Sequence, residues 1–434
     1  MDKKKQTIET NRELITDEAF KDRHRTDSRY FTRPGKLVFS LMIVLILQKS
    51  VKSLQLILNE VTGKLGTPTV TNSAFTQRRA QLKHTAFIEL NRKGIVDVMY
   101  GDGEYKRYKG MRLLAIDGSK VMLPDTADVI KEFGQIRYTG KNAEVQGAHA
   151  YGLASVMYDV FNRIAADSIL GKARAYEVDL ACEHLAYTDE NDLLLNDRNY
   201  ASYYWLAALN NANRQFAVRC SASSFVTARK MLKGEGSDSQ IVTLKPHHTK
   251  LKHIRRHKLP EQITVRFVRV LLGTGEYEVL VTSLLDENEY PTVDFKYIYN
   301  LRWGEETFYG ILKTRLNLEN FTGKTAESVY QDFYASVYLT GLESILTADT
   351  DAKLAEKPTR HKQQVNRAVS FNAIKNHAIE ILYSDDDNET VLKKLEALFL
   401  TNPTLYRENR EVPRKKRSAR HLLNHAKRRR KVCF

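Results

Sequence analysis

Cysteine is scarce: Cys182, Cys220 and Cys433 are the only three in 434 residues, and no two form a CxxC pair. That argues against a disulfide framework and a cysteine-rich zinc site, and makes a reducing cytosol the default expectation. No apolar stretch follows the opening MDKKKQTIETNREL, so a secretory leader is not expected. The longest apolar run, residues 37–47, is about half of the roughly 20 residues that span a bilayer, and reads as a buried helix. There is no phosphate-cradling GxxxxGK[ST] loop, no GxSxG elbow and no Cys/His protease signature, so neither ATP nor a common covalent hydrolase is implied. No internal repeat is present.

Apolar residues make up 42% of the chain, which is long enough for a large core and two or three domains. Basic residues number 68 against 52 acidic ones, a net charge of +16. A surplus of that size favours a polyanionic partner, nucleic acid first and an anionic membrane second.

Composition shifts divide the chain. Residues 1–98 read as a helical domain. Within it, Asn72 or Ser73 caps a helix that carries Arg78, Arg79, Lys83 and His84, either a solvated basic face or a DNA-contacting one. A turn-rich linker at 100–110 precedes a mixed α/β region at 110–221: a strand at 112–124 with a turn at Gly118, two strands around Asn162 and Arg163, then helix, strand, helix, strand. Residues 222–275 read as a β-rich insertion, with GTGE as a hairpin turn. The α/β region resumes at 276–346, and 347–434 is a helical region ending in a basic tail at 413–431.

The segment YNLRWGEETFYGILK (299–313) places two adjacent glutamates among basic and apolar residues. On one continuous α-helix, with Tyr299 at zero, Glu306 falls at roughly −20°, Lys313 at roughly −40° and Arg302 at roughly −60°. Glu305 falls at roughly 240°, off that stripe. Helical phase thus selects Glu306 as the partner of the basic residues. A charged outer helix face would show the same pattern, with an i,i+4 Arg–Glu pair. Two other acids sit at strand ends, Asp117 after RLLAI and Asp197 after DLLLN. Asp192 and Asp189 are neighbours of the second, but Asp192 starts the strand. Each Asp alone fits a turn former. Together, three carboxylates suit Mg²⁺ or Mn²⁺ and attack on a phosphodiester.

The order of Asp117, Asp197 and Glu306 resembles the DDE transposases. Tyr299, Arg302, Glu306 and Lys313 match the YREK spacing of bacterial insertion-sequence transposases that cut and paste through a DNA hairpin. AIDGSKVMLPD, LLLNDRNYAS and VTSLLDENEYP support the likeness, as do FTRPGKLVFS and TNSAFTQRR, and it covers nearly the whole chain. The resemblance implies an α/β, RNase H-like mixed sheet interrupted by a β-rich insertion, between an N-terminal helical domain and a C-terminal helical region. It implies Asp117, Asp197 and Glu306 as catalytic, metal-binding acids for Mg²⁺, with Mn²⁺ as a substitute. Tyr299, Arg302 and Lys313 become phosphate contacts, and Trp303 a residue that could stack on an extrahelical base. The partners are transposon-end and target DNA and a second copy of the chain, in a bacterial, nucleoid-associated, cytoplasmic setting. A DNA-binding derivative without catalysis and a structure-specific nuclease are the rivals. Trp205 reads as core. His247, His248, His253 and His257 match no zinc-finger spacing, so DNA-backbone contact and a solvated loop stand ahead of metal.

Overall fold

The computed structural model describes residues 2–33, 35–50, 52–139, 145–273 and 275–405; the basic tail at 413–431 and Cys433 lie outside them. The chain forms two compact units: residues 1–104, 120–152 and 310–434, and residues 105–119 and 153–309.

The architecture is α/β, with one nine-stranded mixed sheet among the described residues and helical regions at both ends of the chain. Strands β1 (Arg112–Met122), β2 (Gln135–Thr139), β3 (Val145–Asp159), β4 (Ile164–Lys172), β5 (Asp192–Asn196) and β6 (Gln215–Arg219) come first. Strands β7 (Ser239–Leu244), β8 (Ile263–Leu271) and β9 (Tyr277–Thr282) follow. The order is β2-β3-β1-β5-β6-β9-β8-β7, with β4 on β3. β1, β5 and β6 run parallel, and β9 turns antiparallel to β6. The strand succession β4-β3-β1-β5-β6 is the order expected of an RNase H-like sheet. The insertion strands do not form a separate layer: β7 and β8 extend this sheet beyond β9.

In the second unit the central strands β1, β5 and β6 are buried on both faces around residues 113–116, 193–195 and 216–218, which is why they read as continuous apolar runs rather than alternating ones. Alternate residues serve two cores. Leu114, Ile116, Leu194 and Phe216 pack under helices Glu177–His184 and Tyr203–Asn211, with Trp205 in that core as the sequence suggests. Leu113, Ala115, Leu193 and Leu195 pack against helix Asp294–Leu301. Burial of a large aliphatic side chain contributes about 1.5–3 kcal/mol, so these two cores dominate the stability of the unit.

In the first unit the 30-residue helix Ala326–Ala355, capped by a reciprocal Thr325–Ser328 box, is the longest element. The run expected at 37–47 is helix Phe39–Leu47 and is buried, as read. No helix among the described residues is long and apolar enough to cross a membrane.

Two local expectations change. The single helix expected from residue 72 is two, Asn72–Arg79 capped by Thr71 and Thr85–Asn91. Gly118 is not a turn but an inner residue of β1. A Cβ there would lie 2.9 Å from Glu177 Cγ, so the glycine is required by close approach rather than by chain reversal.

Candidate active site

The register of β1 and β5 builds the site. Ile116 pairs with Asn196, the last pair of the two parallel strands, so Asp117, in the middle of β1, and Asp197, one residue past β5, lie side by side where that pairing ends. Asn196 locks this edge: its Nδ2 donates to the Ile116 carbonyl (3.1 Å), and its Oδ1 accepts from Trp205 Nε1 (3.1 Å). Both aspartates share the parity of Leu113, Ala115, Leu193 and Leu195, the face covered by helix Asp294–Leu301. Asp117 Oδ1 accepts from the Gly118 amide at 2.8 Å, and Asp197 Oδ1 from the Asn199 amide at 2.7 Å. Burial and then the charge of Asp197 push the Asp117 carboxyl up to about 7. Two carboxylates whose charges oppose each other in a partly dry site form the electrostatic setting of a cation site.

The glutamate segment is not one helix. Helix Asp294–Leu301 ends, Arg302 turns, helix Trp303–Gly310 begins, and Ile311–Arg315 is a π-helical turn. The Arg302 amide bonds the Tyr299 carbonyl (3.2 Å) and the Glu305 amide bonds the Arg302 carbonyl (3.0 Å). These are i,i+3 bonds that tighten the turn and advance the phase of every later residue. The continuous stripe expected from 100° per residue is therefore broken twice.

The two glutamates still divide as helical phase divides them: Glu306 partners Arg302, and Glu305 lies off that pair. Glu305 is fully buried, and neither carboxylate oxygen meets a donor in hydrogen-bond geometry among the described residues. Burial, then the charge of Asp117, hold it well above the usual carboxylate range, with Asp197 adding in the same direction. Glu306 is about a third exposed and accepts from Arg302 Nη2 at 3.1 Å. Tyr309, which sequence reasoning passed over, fixes this helix to the sheet: its hydroxyl donates to the carbonyls of Asp117 (2.9 Å) and Ala154 (3.1 Å). Glu177 is a further acid beside Gly118, and its charge also reaches Asp117.

The remaining expected contacts fall as follows. Tyr299 is buried in the core beneath its helix, with its hydroxyl unpartnered among the described residues. Arg302 is 3% exposed, its guanidinium 5.3 Å from the Tyr299 ring centroid and 5.1 Å from that of Trp303. Neither presents a free surface to a phosphate, which corrects that part of the stripe: the turn at Arg302 draws both side chains inward. Trp303 is 37% exposed. Lys313 belongs to the first unit, where its ammonium donates to the Lys120 carbonyl at 2.7 Å.

The basic helix near the N-terminus is also turned inward. Arg78 donates to the Leu37 carbonyl (3.0 Å) and lies over the Phe31 ring at 4.2 Å. Lys83 donates to the Arg23 carbonyl at 3.1 Å. Arg79 is buried and meets Asp332 (2.8 Å), Gln331 (2.6 Å) and Thr322 (2.6 Å). A residue more than 250 positions away in the chain supplies its counter-charge, which no local pattern reveals. Arg79→Ala leaves Asp332 buried and unpaired, so we expect a loss of about 3–5 kcal/mol, read as a lowered unfolding midpoint in denaturant. A variant as stable as wild type with weakened DNA binding would return Arg79 to the DNA surface.

Among the described residues no three carboxylates, imidazoles or thiols converge closely enough to enclose a metal ion. The donor chemistry nevertheless fits a hard divalent cation: Asp117 and Asp197 are oxygen donors at one sheet edge, and Glu305 brings two unpartnered buried oxygens.

A family model described as a transposase DDE domain matches residues 108–339. No curated protein matches the chain. Among solved structures, a cryo-EM structure of a piggyBac transposase synaptic complex with hairpin DNA aligns with 94% of this chain and 84% of that chain, at 9% identity and a TM-score of 0.43.

Proposed function

The chain belongs to the transposase DDE-domain family, and on that premise we propose that it binds the terminal inverted repeats of an insertion sequence as a homodimer and performs DNA cleavage and strand transfer through a hairpin intermediate. The observation that carries the reading is the side-by-side placement of Asp117 and Asp197 on the sheet face covered by helix Asp294–Leu301, with Tyr309 of the following glutamate helix bonded to the Asp117 carbonyl. The catalytic set is Asp117, Asp197 and Glu306, with Mg²⁺ as the resident cation. DDE transposases use divalent metal ions in general. Such a cation, when bound, neutralises charge on the phosphodiester and lowers the pKa of an attacking water or 3′-hydroxyl.

The chain's own residues prepare that chemistry. Asp117 and Asp197 are held in place by backbone amides and by the Asn196 bridge. Tyr309 pins the glutamate helix to β1. Arg302 holds Glu306 by an ion pair and so acts as its positioning residue. Lys313 remains the stripe's candidate for phosphate contact, and Trp303, the exposed ring beside Arg302, is the candidate for stacking on an extrahelical base. Base–aromatic stacking is worth about 1–3 kcal/mol. Trp303→Ala is therefore expected to lower hairpin formation on end DNA about tenfold or more while leaving initial nicking unchanged. Equal hairpin yields from variant and wild type would assign Trp303 to packing.

The test of the function is an incubation of purified protein with end DNA and Mg²⁺. Hairpin-ended products support the proposal. Simple nicks identify a nuclease, and a mobility shift without cleavage identifies a binding protein without catalysis.

A further inference from the structure

The net charge of this protein is not spread over its surface. Residues 244–260 contain six Lys and Arg and no acid, and residues 413–431 contain ten and no acid. Setting those sixteen aside leaves 52 basic residues against 52 acidic ones, so two short segments account for the whole surplus of +16. A loop that is merely solvated mixes signs. This one does not.

The described one of the two segments joins β7 to β8 and folds as the short helix Leu251–Arg256. Ile254 is its buried anchor, at 1% exposure. His253 and His257 pack on the Tyr204 ring, at 4.9 and 5.3 Å between centroids, and the Tyr203 hydroxyl donates to the Pro260 carbonyl at 2.9 Å. The histidines thus have a packing role that accounts for their clustering. Lys245, Lys250, Lys252, Arg256 and Lys258 are exposed, and among the described residues only Arg255 in this segment has an acidic partner, Glu261 at 2.7 Å. The scaffold is anchored and the cations are free to meet something else.

Register places this surface. β9 opposes β6 with Leu280 on Arg219, β8 opposes β9, and β7 ends where Leu244 pairs with Ile263. The β7–β8 connection leaves the sheet at the end where β5 and β6 begin, and its chain then packs on Tyr203 and Tyr204, the first turn of the helix that follows Asp197.

We infer that residues 245–258 form a second, sequence-independent contact for the DNA backbone, carried by an element separate from the strands that hold the catalytic acids. This rests on the proposed DNA function. Cations at that spacing on an anchored helix neutralise phosphates and release counterions, which reads no bases but adds affinity and salt dependence.

The test is the salt dependence of end-DNA binding by the full chain. The wild type is compared with a fourfold variant, Lys245→Gln, Lys250→Gln, Lys252→Gln and Arg256→Gln. Each cation that meets a phosphate contributes about 0.9 to the slope of log K against log salt, so the slope is expected to flatten by up to about 3.6. Affinity should fall equally for end DNA and for random duplex, and single-turnover cleavage at saturating DNA should stay at the wild-type rate. A control, Lys353→Gln with Lys393→Gln, removes charges already paired with Glu396 and Glu389, and should leave the slope unchanged. Wild-type protein that binds end DNA with a slope the fourfold variant preserves overturns the inference and leaves the transposase reading standing. Wild-type protein that binds no DNA overturns both.

Discussion

Glu306→Gln abolishes cleavage of transposon-end DNA while leaving end binding and folding intact. The substitution keeps the shape of the side chain and its acceptor for Arg302, and removes only the negative charge. A ligand to a divalent cation is worth several kcal/mol in stabilising charge on the reacting phosphate, which corresponds to a fall of about 10²–10³-fold or more in the single-turnover rate. Asp117→Asn and Asp197→Asn are expected to fall in the same range, because the three carboxylates act as one unit and their effects are not additive. The competing assignment is written into the same experiment. Spacing along the sequence selects Glu306, while Glu305 is the buried neighbour whose carboxyl feels the charges of both aspartates. If Glu305→Gln loses cleavage and Glu306→Gln keeps it, Glu305 is the third ligand and Glu306 serves Arg302.

Glu305 carries the second large expected effect, on stability. A fully buried carboxyl whose oxygens lack donors costs about 1–3 kcal/mol even when neutral, and more when ionised beside Asp117. Glu305→Leu fills about the same space with apolar atoms, so the metal-free protein is expected to gain about 2 kcal/mol, read as a higher midpoint in denaturant. An unchanged or lowered midpoint would mean that the carboxyl is satisfied in solution. The same setting gives a pH dependence. Asp117 has a folded pKa raised to about 7, above its ordinary value of 3.8. The folded state therefore holds a proton that the unfolded state has released, and stability falls as pH rises from about 4 through about 7. The loss is at most roughly 4 kcal/mol. Metal-free wild type should melt lower at pH 8 than at pH 5, and Asp117→Asn should reduce that difference, with Glu305 supplying the remainder in the same direction. A melting temperature that rises over this interval in wild type would contradict the sign.

Much of the sheet could be read from the chain. The apolar runs that became β1, β5 and β6, the strand pair flanking Arg163 and the GTGE hairpin carry β-branched and aliphatic residues bounded by turn chemistry, a local signal. Arg163 supplies the turn with a positive φ of 57°. Asp197 was legible for the same reason, since a strand end is visible in one dimension; Asp117 reads as a strand end too, but β1 runs on through it to Met122. What was not legible depends on distant partners. Gly118 looks like a turn until Glu177 is placed against it. Arg79 looks like a surface base until Asp332 is found beneath it. The glutamate helix looks continuous until the i,i+3 turn at Arg302 shifts its phase, although the pairing of Glu306 with Arg302 that phase selects is present. Tyr309 gave no signal at all, because its role is to bond two backbone carbonyls that only the fold brings together.

The basic residues show the same contrast. Arg78 and Arg79 sit in a compelling local pattern yet are consumed internally, whereas the acid-free stretch at 244–260 keeps its cations exposed. Charge that has no acid of its own nearby in sequence is the better guide to a polyanion surface than charge on an amphipathic helix.

The central claim is that the adjacent aspartates within β1 and just past β5 are the metal-holding acids of a DNA-cleaving centre. The most direct measurement is calorimetric titration of Mn²⁺ into the full-length protein bound to end DNA, wild type against Asp117→Asn combined with Asp197→Asn, with strand cleavage followed in the same samples. The account predicts saturable Mn²⁺ binding and cleavage in the wild type and the loss of both in the double variant, with end-DNA affinity retained. Equal Mn²⁺ binding and equal cleavage by the two proteins would contradict it.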